Sequence, residues 1–296
     1  MCLKWFIIAL RITMTIAEKM LEFRLELSTL YDPREAKNIT EWVLEKLVSL
    51  DKMQLVFDKH RLLTAPQIEA LDAALARLKK AEPVQYVLEE ADFMGQKFYV
   101  NNAVLIPRPE TEELVDWALK QMKDRPTQID ILDIGTGSGC IPISLALSLP
   151  KANIEATDVS EAALAVANKN NVLSGNRVKF YLHNILTENL AAAQYDLITS
   201  NPPYIATTEL NSMAQHVVEF EPHLALFVEG EDVLLFYRKI AAKAFVALKK
   251  NGVVLVEIHH EYGSEIVEIF EQSGLANVEC RKDLSGKNRM VKGEKP

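Results

Sequence analysis

The stretch YDLITSNPPYIAT, residues 195–207, follows an apolar run with four residues that could do chemistry. Pro202 and Pro203 remove two backbone donors and forbid helix, so the loop after the predicted strand must be rigid. A planar nitrogen, in an amide or a nucleobase amine, is a poor nucleophile because its lone pair is delocalised. The Asn201 side-chain oxygen and the Pro202 carbonyl could accept hydrogen bonds from such an NH2 group, and Tyr204 could stack on it. The pattern favours positioning and electrostatics at a planar nitrogen, without a strong base.

A glycine-rich turn, ILDIGTGSGC, lies upstream at the end of another apolar run that includes Asp133. Glycines let the backbone approach a ligand closely, and the helix that follows offers unpaired N–H groups to a carboxylate or phosphate. Dinucleotide-binding enzymes and users of S-adenosylmethionine share this pattern, and a tight strand-to-helix turn would need glycines too. The candidate cofactor-binding residues of this turn are Gly135, Thr136, Gly137, Ser138 and Gly139.

Two further strand ends carry candidate ligand-binding residues. Asp158 ends the run ANIEATD, where a carboxylate can accept both hydroxyls of a ribose. It could instead cap the next helix, although Ser160 is better placed to do so. In YLHNILTE, Asn184 and Ile185 stand where such folds hold an adenine, and a simple turn role for Asn184 is the alternative.

Composition narrows the class of partner. The chain has 296 residues, enough for two domains, and its 41 acidic and 33 basic residues give a net charge of −8. This balance does not favour a broad basic face for nucleic acid. Three scattered cysteines suit a reducing cytosol and form no zinc pattern, so we expect no metal and a cytoplasmic protein.

The first residues, MCLKWFIIALRIT, need a separate interpretation. The apolar run is too short for the ~20 residues of a membrane span, and no small-residue cleavage site follows it. We expect residues 1–13 to be an N-terminal extension upstream of a helix that starts at Met14, in preference to an export signal.

The composition and the periodicity of apolar residues change twice along the rest of the chain. Apolar residues recur at helical spacing over residues 14–82, with N-caps predicted at Asp32 and Thr64, so we expect a bundle of four or five helices. Residues 83–107 are rich in Val, Tyr and Phe and contain Asn101-Asn102 between apolar runs, which predicts a β-hairpin connector.

Residues 108–296 alternate short apolar strands with amphipathic helices. This alternation predicts an α/β fold with a parallel sheet covered on both faces. The first helix would be capped by Thr111, and the last two strands would turn at Gly286. An α/β sheet that ends in an antiparallel hairpin resembles the class I methyltransferases.

Three segments extend this resemblance. PVQYVLEEADFMGQKFYVNNAVLIPRPETEELV resembles the hairpin and P-R-P-x-T-E segment of the HemK/PrmC family, the peptide chain release factor glutamine methyltransferases. EFEPHLALFVEGEDVLLFYRKI resembles that family's E-P-x-x-A-L segment, and KDLSGKNRMVKG resembles its C-terminal hairpin. The asparagine–diproline–tyrosine sequence alone is also shared with DNA and RNA adenine methyltransferases.

The resemblance implies a seven-stranded Rossmann-like methyltransferase domain (residues 108–296) behind a helical substrate-recognition domain (residues 14–82). It implies that residues 135–139, Asp158, Asn184, Ile185 and Asn201 bind S-adenosyl-L-methionine, with S-adenosyl-L-homocysteine as product. The glutamine of the Gly-Gly-Gln motif of class 1 release factors would be methylated on N5. The residues implied to hold that amide are Asn201, Pro202, Pro203 and Tyr204, and those implied to brace the loop are Arg108, Thr111 and Glu112. We expect a monomer that binds neither membrane nor, stably, nucleic acid.

The sequence departs from the family pattern at four positions. Glycine is common where Glu89, Val233 and His259 stand, and aspartate where Asn184 stands. We expect altered loops at Glu89 and Val233 and a weaker adenine contact at Asn184, whereas His259-His260 lacks the further ligands of a metal site. The same chemistry on a ribosomal-protein glutamine or an RNA adenine is the alternative, and a non-enzymatic adaptor is disfavoured by the intact loop after Ser200.

Overall fold

The computed structural model describes residues 14–125, 128–212, 215–228, 230 and 232–296. The chain divides into two compact units after Glu89. The expected extension, residues 1–13, lies outside the described residues. The functional domains that we expect from the sequence stay a prediction.

The first unit is helical, as predicted. Its helices are Ile16–Leu27, Pro33–Val48, Lys52–Phe57, Ala65–Leu78 and Val84–Leu88. The N-caps predicted at Asp32 and Thr64 are confirmed, since both side chains accept hydrogen bonds from backbone N–H groups of the first turn. The first helix starts at Ile16 rather than Met14 because Thr15 is its N-cap, in a reciprocal pair with Glu18.

The predicted β-hairpin exists, but its turn was misplaced. Strands β1 (Ala91–Phe93) and β2 (Gln96–Phe98) pair across Met94 and Gly95, whose φ angles are 50° and 70°. Two left-handed residues match the twist of a tight hairpin better than Asn101-Asn102 does. The Asn101 side chain instead accepts a hydrogen bond from the Ala103 N–H, which makes a local turn after the hairpin.

The second unit contains the predicted sheet. Its seven strands are β3 (Asp130–Ile134), β4 (Asn153–Asp158), β5 (Val178–Leu182), β6 (Tyr195–Ser200), β9 (Leu248–Glu257), β10 (Ala276–Lys282) and β11 (Asn288–Glu294). They lie in the order β10-β11-β9-β6-β3-β4-β5. A separate short parallel pair is formed by β7 (Ile205–Ala206) and β8 (Phe227–Val228). The five strands up to β9 are parallel and β11 is antiparallel to both neighbours, which confirms the α/β prediction and the hairpin turn around Gly286.

Helices cover both faces of this sheet. The helices described in the second unit are Pro109–Met122, Cys140–Ser148, Glu161–Leu173, Gln215–Phe220, His223–Leu226, Leu235–Ala247 and Gly263–Gln272. The two short ones, Gln215–Phe220 and His223–Leu226, lie in the segment between β7 and β8. Neighbouring residues of β3 enter different cores, Ile131 with Leu114 and Trp117, and Leu132 with Tyr237 and Ile240. Strands buried on both faces read as continuous apolar runs, which is why the sequence revealed them.

The strand order places two loops side by side. The chain runs from β3 outward through β4 to β5 and then returns to the other side of β3 with β6. Loops that follow β3 and β6 therefore leave the sheet in opposite directions and open a crevice at its carboxyl edge. The glycine turn follows β3 and Asn201 follows β6, so the topology alone brings these two motifs together.

Candidate functional site

A cavity of about 430 Å³ lies at this crevice, within the second unit. Residues from the ends of β3, β4, β5 and β6 line it, together with parts of the segments around Arg108 and Pro222. The predicted site residues that line it are Gly135, Thr136, Gly137, Ser138, Asp158, Asn184, Ile185, Asn201 and Pro203. The predicted residues Gly139, Pro202 and Tyr204 do not line it.

The three glycines of the turn have different surroundings. Gly135, Gly137 and Gly139 have φ angles of 72°, 55° and 80°, in the left-handed region that disfavours other residues. A Cβ added at Gly135 or Gly137 would meet no heavy atom within 4 Å, whereas at Gly139 it would lie 3.1 Å from Ile143 and 3.2 Å from Ala167. The first two glycines therefore leave room for a ligand, and the third allows close packing of helices.

Asp158 lies beside the glycine turn at the end of β4. Its Oδ2 accepts a hydrogen bond from the Gly137 N–H at 2.8 Å and its Oδ1 accepts one from the Ser160 N–H at 2.9 Å. Burial raises the pKa of this carboxyl above its ordinary value, while these N–H groups oppose that shift. The helix N-cap is Ser160, as expected, so each Asp158 oxygen keeps a lone pair for the hydroxyls of a ribose.

The loop after β5 forms the other wall of the cavity. Asn184 Oδ1 accepts a hydrogen bond from the Leu186 N–H at 2.9 Å, so its side chain does make a local turn. Ile185 is buried, and its carbonyl accepts a hydrogen bond from the Lys243 ammonium at 2.6 Å. The turn leaves the second lone pair of Asn184 Oδ1 available, and Lys243 holds the apolar side chain of Ile185 in place.

A buried carboxylate lies directly beneath the glycine turn. Asp133 is fully buried, and its Oδ1 accepts a hydrogen bond from the Thr199 hydroxyl at 2.7 Å. Its Oδ2 has no hydrogen-bond partner among the described residues. Burial raises the pKa of Asp133 to about 7, against the opposing effect of the Thr199 hydrogen bond.

The Asn201 side chain is held by Thr111, one of the residues implied to brace this loop, and through Thr111 by Glu257. Its Nδ2 donates to Thr111 Oγ1 at 3.2 Å, and the Thr111 hydroxyl donates to Glu257 Oε2 at 2.6 Å. The prediction that Thr111 caps a helix was wrong, because the helix begins at Pro109 with Arg108 at the N-cap position and Thr111 is buried. Glu257, at the end of β9, was missed because a single glutamate at a strand end carries no motif.

Pro203 lines the cavity, whereas Pro202 and Tyr204 of the same loop face the protein. Pro202 is buried, and the Tyr204 hydroxyl donates to Glu257 Oε1 at 3.4 Å. The Tyr204 ring centre lies 5.9 Å from that of His259, whose own ring lies 4.6 Å from that of His260. Burial lowers the pKa of His259 below its ordinary value.

Two residues of the P-R-P-x-T-E segment make contacts that fix neighbouring loops. Arg108 donates to both oxygens of the buried Glu221 carboxylate, at 2.6 and 2.7 Å, and so joins this segment to the E-P-x-x-A-L segment. Glu112 accepts a hydrogen bond at 2.5 Å from the Met94 N–H in the turn of the hairpin. Neither contact involves the loop of residues 201–204, which this segment was implied to brace. Of the three residues implied to do so, Thr111 is the one whose hydrogen bond reaches that loop, at Asn201.

Asn170 is a further positioning residue that the sequence did not reveal. It is 1% exposed, in the helix Glu161–Leu173, and its Nδ2 donates to the carbonyls of Ser138 and Tyr99, each at 2.9 Å. Its Oδ1 accepts from the Tyr99 N–H at 2.7 Å. Asn170 thus ties the glycine turn to the segment after the hairpin.

The described part of the chain contains neither a candidate metal cluster nor a candidate membrane span. There, no group of three or more His, Cys, Asp or Glu side chains could hold a metal ion, His259 and His260 included. Nor does any helix in these described ranges have the length and apolarity needed to span a membrane.

The fold and cavity together define a class I S-adenosylmethionine-dependent methyltransferase. Its marks are the seven-stranded sheet with an antiparallel end, the glycine turn with open space above it, and a carboxylate at the end of β4. A family model described as a methyltransferase small domain matches residues 116–262, and the PrmC N-terminal domain matches residues 20–88.

Similar proteins narrow the class of methyltransferase. A release factor glutamine methyltransferase of Flavobacterium psychrophilum is 42% identical over 94% of this chain and 99% of its own length. A protein of the same name from Bacteroides thetaiotaomicron is 39% identical over 90% of this chain and 96% of its own length. The chain belongs to the release factor glutamine methyltransferase family.

A solved structure gives a further comparison. The release-factor-specific protein-(glutamine-N5) methyltransferase of Alicyclobacillus acidocaldarius is 28% identical to this chain. The match covers 67% of this chain and 99% of that one, with a TM-score of 0.40.

Proposed function

We propose that this protein transfers a methyl group from S-adenosyl-L-methionine to the side-chain amide nitrogen of a glutamine, in the Gly-Gly-Gln motif of class 1 peptide chain release factors. The observation that carries the proposal is that Asn201 and the glycine turn line one cavity in a chain that belongs to this family. S-adenosylmethionine supplies, when bound, an electrophilic methyl group on its sulfonium sulfur, and S-adenosylhomocysteine remains.

The cofactor would be held by residues from three strand ends. The backbone of residues 135–139 offers N–H groups and open space, and Asp158 offers two acceptors for the ribose hydroxyls. Asn184 and Ile185 would hold the adenine by a hydrogen bond and by apolar contact, and Asn201 would lie beside the methyl donor.

The substrate amide would be positioned by the diproline loop. The Asn201 side-chain oxygen and the Pro202 carbonyl would accept its two N–H groups, while Pro203 keeps that carbonyl rigid. Two acceptors in the amide plane draw charge toward nitrogen as the methyl group arrives, so stabilisation is greatest in the transition state. Tyr204 would exclude water and stack on the amide, which requires its ring to turn toward the cavity from its contact with Glu257.

A strong general base is not part of this mechanism. The amide nitrogen becomes acidic only as its bond to the methyl carbon forms, and its proton can then pass to water. The chain's contribution is to fix two planar groups in line, which is positioning rather than proton abstraction.

The arrangement of domains and partners belongs to the same proposal. Residues 14–82 would recognise the release factor, residues 83–107 would connect them to the catalytic domain, and residues 108–296 would catalyse the transfer. We propose a cytoplasmic monomer without stable nucleic-acid binding, since the net charge of −8 would repel a phosphate backbone.

A methylation assay with mass spectrometry tests the proposal. The protein is incubated with S-adenosylmethionine and a class 1 release factor, and tryptic peptides are weighed. We expect a gain of one methyl on the Gly-Gly-Gln peptide and a loss of at least about 100-fold in rate for Asn201→Ala, because one of two transition-state acceptors is gone. Asn168→Ala, on the exposed face of the helix Glu161–Leu173, is the matched control.

Other substrates give different results in the same assay. Ribosomal proteins and RNA are offered in parallel with the release factor. Methyl transfer only to a ribosomal-protein glutamine or to an RNA adenine would refute the release factor as substrate and leave the chemistry intact. An absence of transfer to any of them would refute the proposed activity.

A further inference from the structure

The Asn201 amide can occupy the same volume in two orientations that exchange a hydrogen-bond donor for an acceptor. Only one orientation presents Oδ1 to an incoming NH2 group. We propose that Glu257, acting through the Thr111 hydroxyl, fixes this orientation and is a positioning residue for methyl transfer. The inference deepens the proposed function and rests on it, because it concerns how the substrate amide is held.

The direction of each hydrogen bond determines that of the next one. An ionised carboxylate can only accept, so at 2.6 Å the Thr111 hydroxyl must give its hydrogen to Glu257 Oε2. The Thr111 oxygen then has only lone pairs left for its other neighbour. Asn201 must therefore turn its NH2 group to Thr111, at 3.2 Å, and leave its oxygen for the substrate.

The surroundings of Glu257 favour this chain of bonds. Glu257 is 1% exposed and Thr111 is 3% exposed, so water cannot replace either partner. The second carboxylate oxygen accepts a hydrogen bond from the Tyr204 hydroxyl at 3.4 Å. The same carboxylate thus contacts Tyr204 directly and is linked to Asn201 through the Thr111 hydroxyl.

Protonation of Glu257 would reverse the direction of both hydrogen bonds, the one with Thr111 and the one between Thr111 and Asn201. A neutral carboxyl can donate to Thr111, whose hydrogen could then go to Asn201 Oδ1 and turn the wrong group toward the substrate. Burial raises the pKa of Glu257 to about 7, with Thr111 and Arg289 opposing the shift and Glu110 adding to it. The other titratable groups that interact with Glu257 are Tyr204, Tyr237 and Cys140, and the pKa of each is raised. We therefore expect kcat to rise with pH through about 7.

Variants of Thr111 and Glu257 test the inference in the methylation assay. Thr111→Val removes the hydroxyl at nearly constant volume and should lower kcat about 10- to 100-fold, whereas Thr111→Ser should restore most of it. Glu257→Gln offers Thr111 either a donor or an acceptor, so kcat should fall about 10-fold and its dependence on pH near 7 should disappear. The exposed Glu271→Gln variant is the matched control.

Ligand affinity and thermal unfolding distinguish a loss of positioning from a loss of folded structure in these variants. The three site variants should keep the S-adenosylhomocysteine affinity of the wild type within about threefold and unfold at a similar temperature. Wild-type kcat in both Thr111→Val and Glu257→Gln would overturn the inference, and so would a pH limb near 7 that survives in Glu257→Gln.

A readout that does not depend on activity separates this inference from the proposed function. The side-chain NH2 signals of Asn201, assigned by their absence in Asn201→Asp, are followed by NMR as pH is varied. We expect them to shift with a midpoint near pH 7 in the wild type and to stay constant in Glu257→Gln. Constant signals in the wild type would overturn the inference even if the release factor is methylated.

Discussion

Alanine substitutions at two glycines of the same turn should have different effects, one on stability and the other on cofactor binding. Gly139 has a φ of 80°, so alanine there costs about 1 kcal/mol in backbone strain. Its Cβ would also lie 3.1 Å from Ile143 and 3.2 Å from Ala167, both fully buried, which adds about 1–3 kcal/mol of overpacking. Gly139→Ala should therefore lower the free energy of unfolding by about 2–4 kcal/mol.

Gly135 is the matched comparison. Its φ of 72° carries the same backbone strain of about 1 kcal/mol, but its added Cβ would enter open space in the cavity. We expect Gly135→Ala to lower stability only slightly and to weaken S-adenosylhomocysteine binding by at least about 10-fold, because the Cβ occupies space proposed for the ligand.

Thermal unfolding and calorimetric titration measure the two effects separately. In a unit of about 200 residues, 1 kcal/mol corresponds to about 2–4 °C, so Gly139→Ala should lower the midpoint by about 5–15 °C and Gly135→Ala by a few degrees. Equal losses of stability in the two variants would refute the packing argument. Unchanged affinity in Gly135→Ala would refute the placement of the cofactor over the turn.

Two other variants test buried polar groups. Asn170→Ala removes three hydrogen bonds, two with Tyr99 and one with Ser138. Urea denaturation should therefore show a loss of about 2–4 kcal/mol in the free energy of unfolding. A loss below about 0.5 kcal/mol, on the order of what one hydrogen bond contributes, would contradict a bracing role. Because the pKa of Asp133 is raised to about 7, its protonated form stabilises the folded state fully below about pH 4, and this contribution is lost as pH rises through about 7. Between pH 5 and 7 the free energy of unfolding of the wild type should fall by about 2 kcal/mol more than that of Asp133→Asn. If the two free energies have equal slopes against pH, Asp133 is ionised throughout this range.

The sequence was sufficient for the parts of the fold that depend on local patterns. Strands β3 and β6 are apolar on both faces, and their ends carry the glycine turn and Asn201, so their place at one sheet edge followed from topology. The seven-stranded sheet and its antiparallel end were predicted correctly for this reason. The roles of the individual site residues remain predictions.

The errors came from side chains with two plausible local roles. Thr111 has the residue type and spacing of an N-cap, but the helix starts three residues earlier than that, at Pro109, which frees the Thr111 hydroxyl for Glu257. Asn101-Asn102 has the composition of a hairpin turn, yet Met94-Gly95 supplies both left-handed residues. Glu112 accepts a hydrogen bond from that turn, and no local pattern reveals a contact 18 residues away.

Residues that orient the site are harder to predict than residues that line it. Asn201 is 90 residues from Thr111, and Thr111 is 146 residues from Glu257. These contacts exist because the end of β9 lies beside the end of β6 and under the helix Pro109–Met122, which only the assembled sheet determines. The apolar residues around Glu257 mark β9 as a buried strand, but nothing in that run links Glu257 to Thr111 or Asn201.

A buried carboxylate that accepts a hydrogen bond from a threonine hydroxyl occurs twice beneath the candidate site. Asp133 lies under the glycine turn and accepts from the Thr199 hydroxyl, and Glu257 lies under Asn201 and accepts from the Thr111 hydroxyl. Each carboxylate is buried, and the pKa of each is raised to about 7, so both destabilise the folded state when ionised. Apolar residues of similar volume would give a more stable core. A requirement for fixed hydrogen-bond direction at the ends of β3 and β6 accounts for both carboxylates, whereas stability alone accounts for neither.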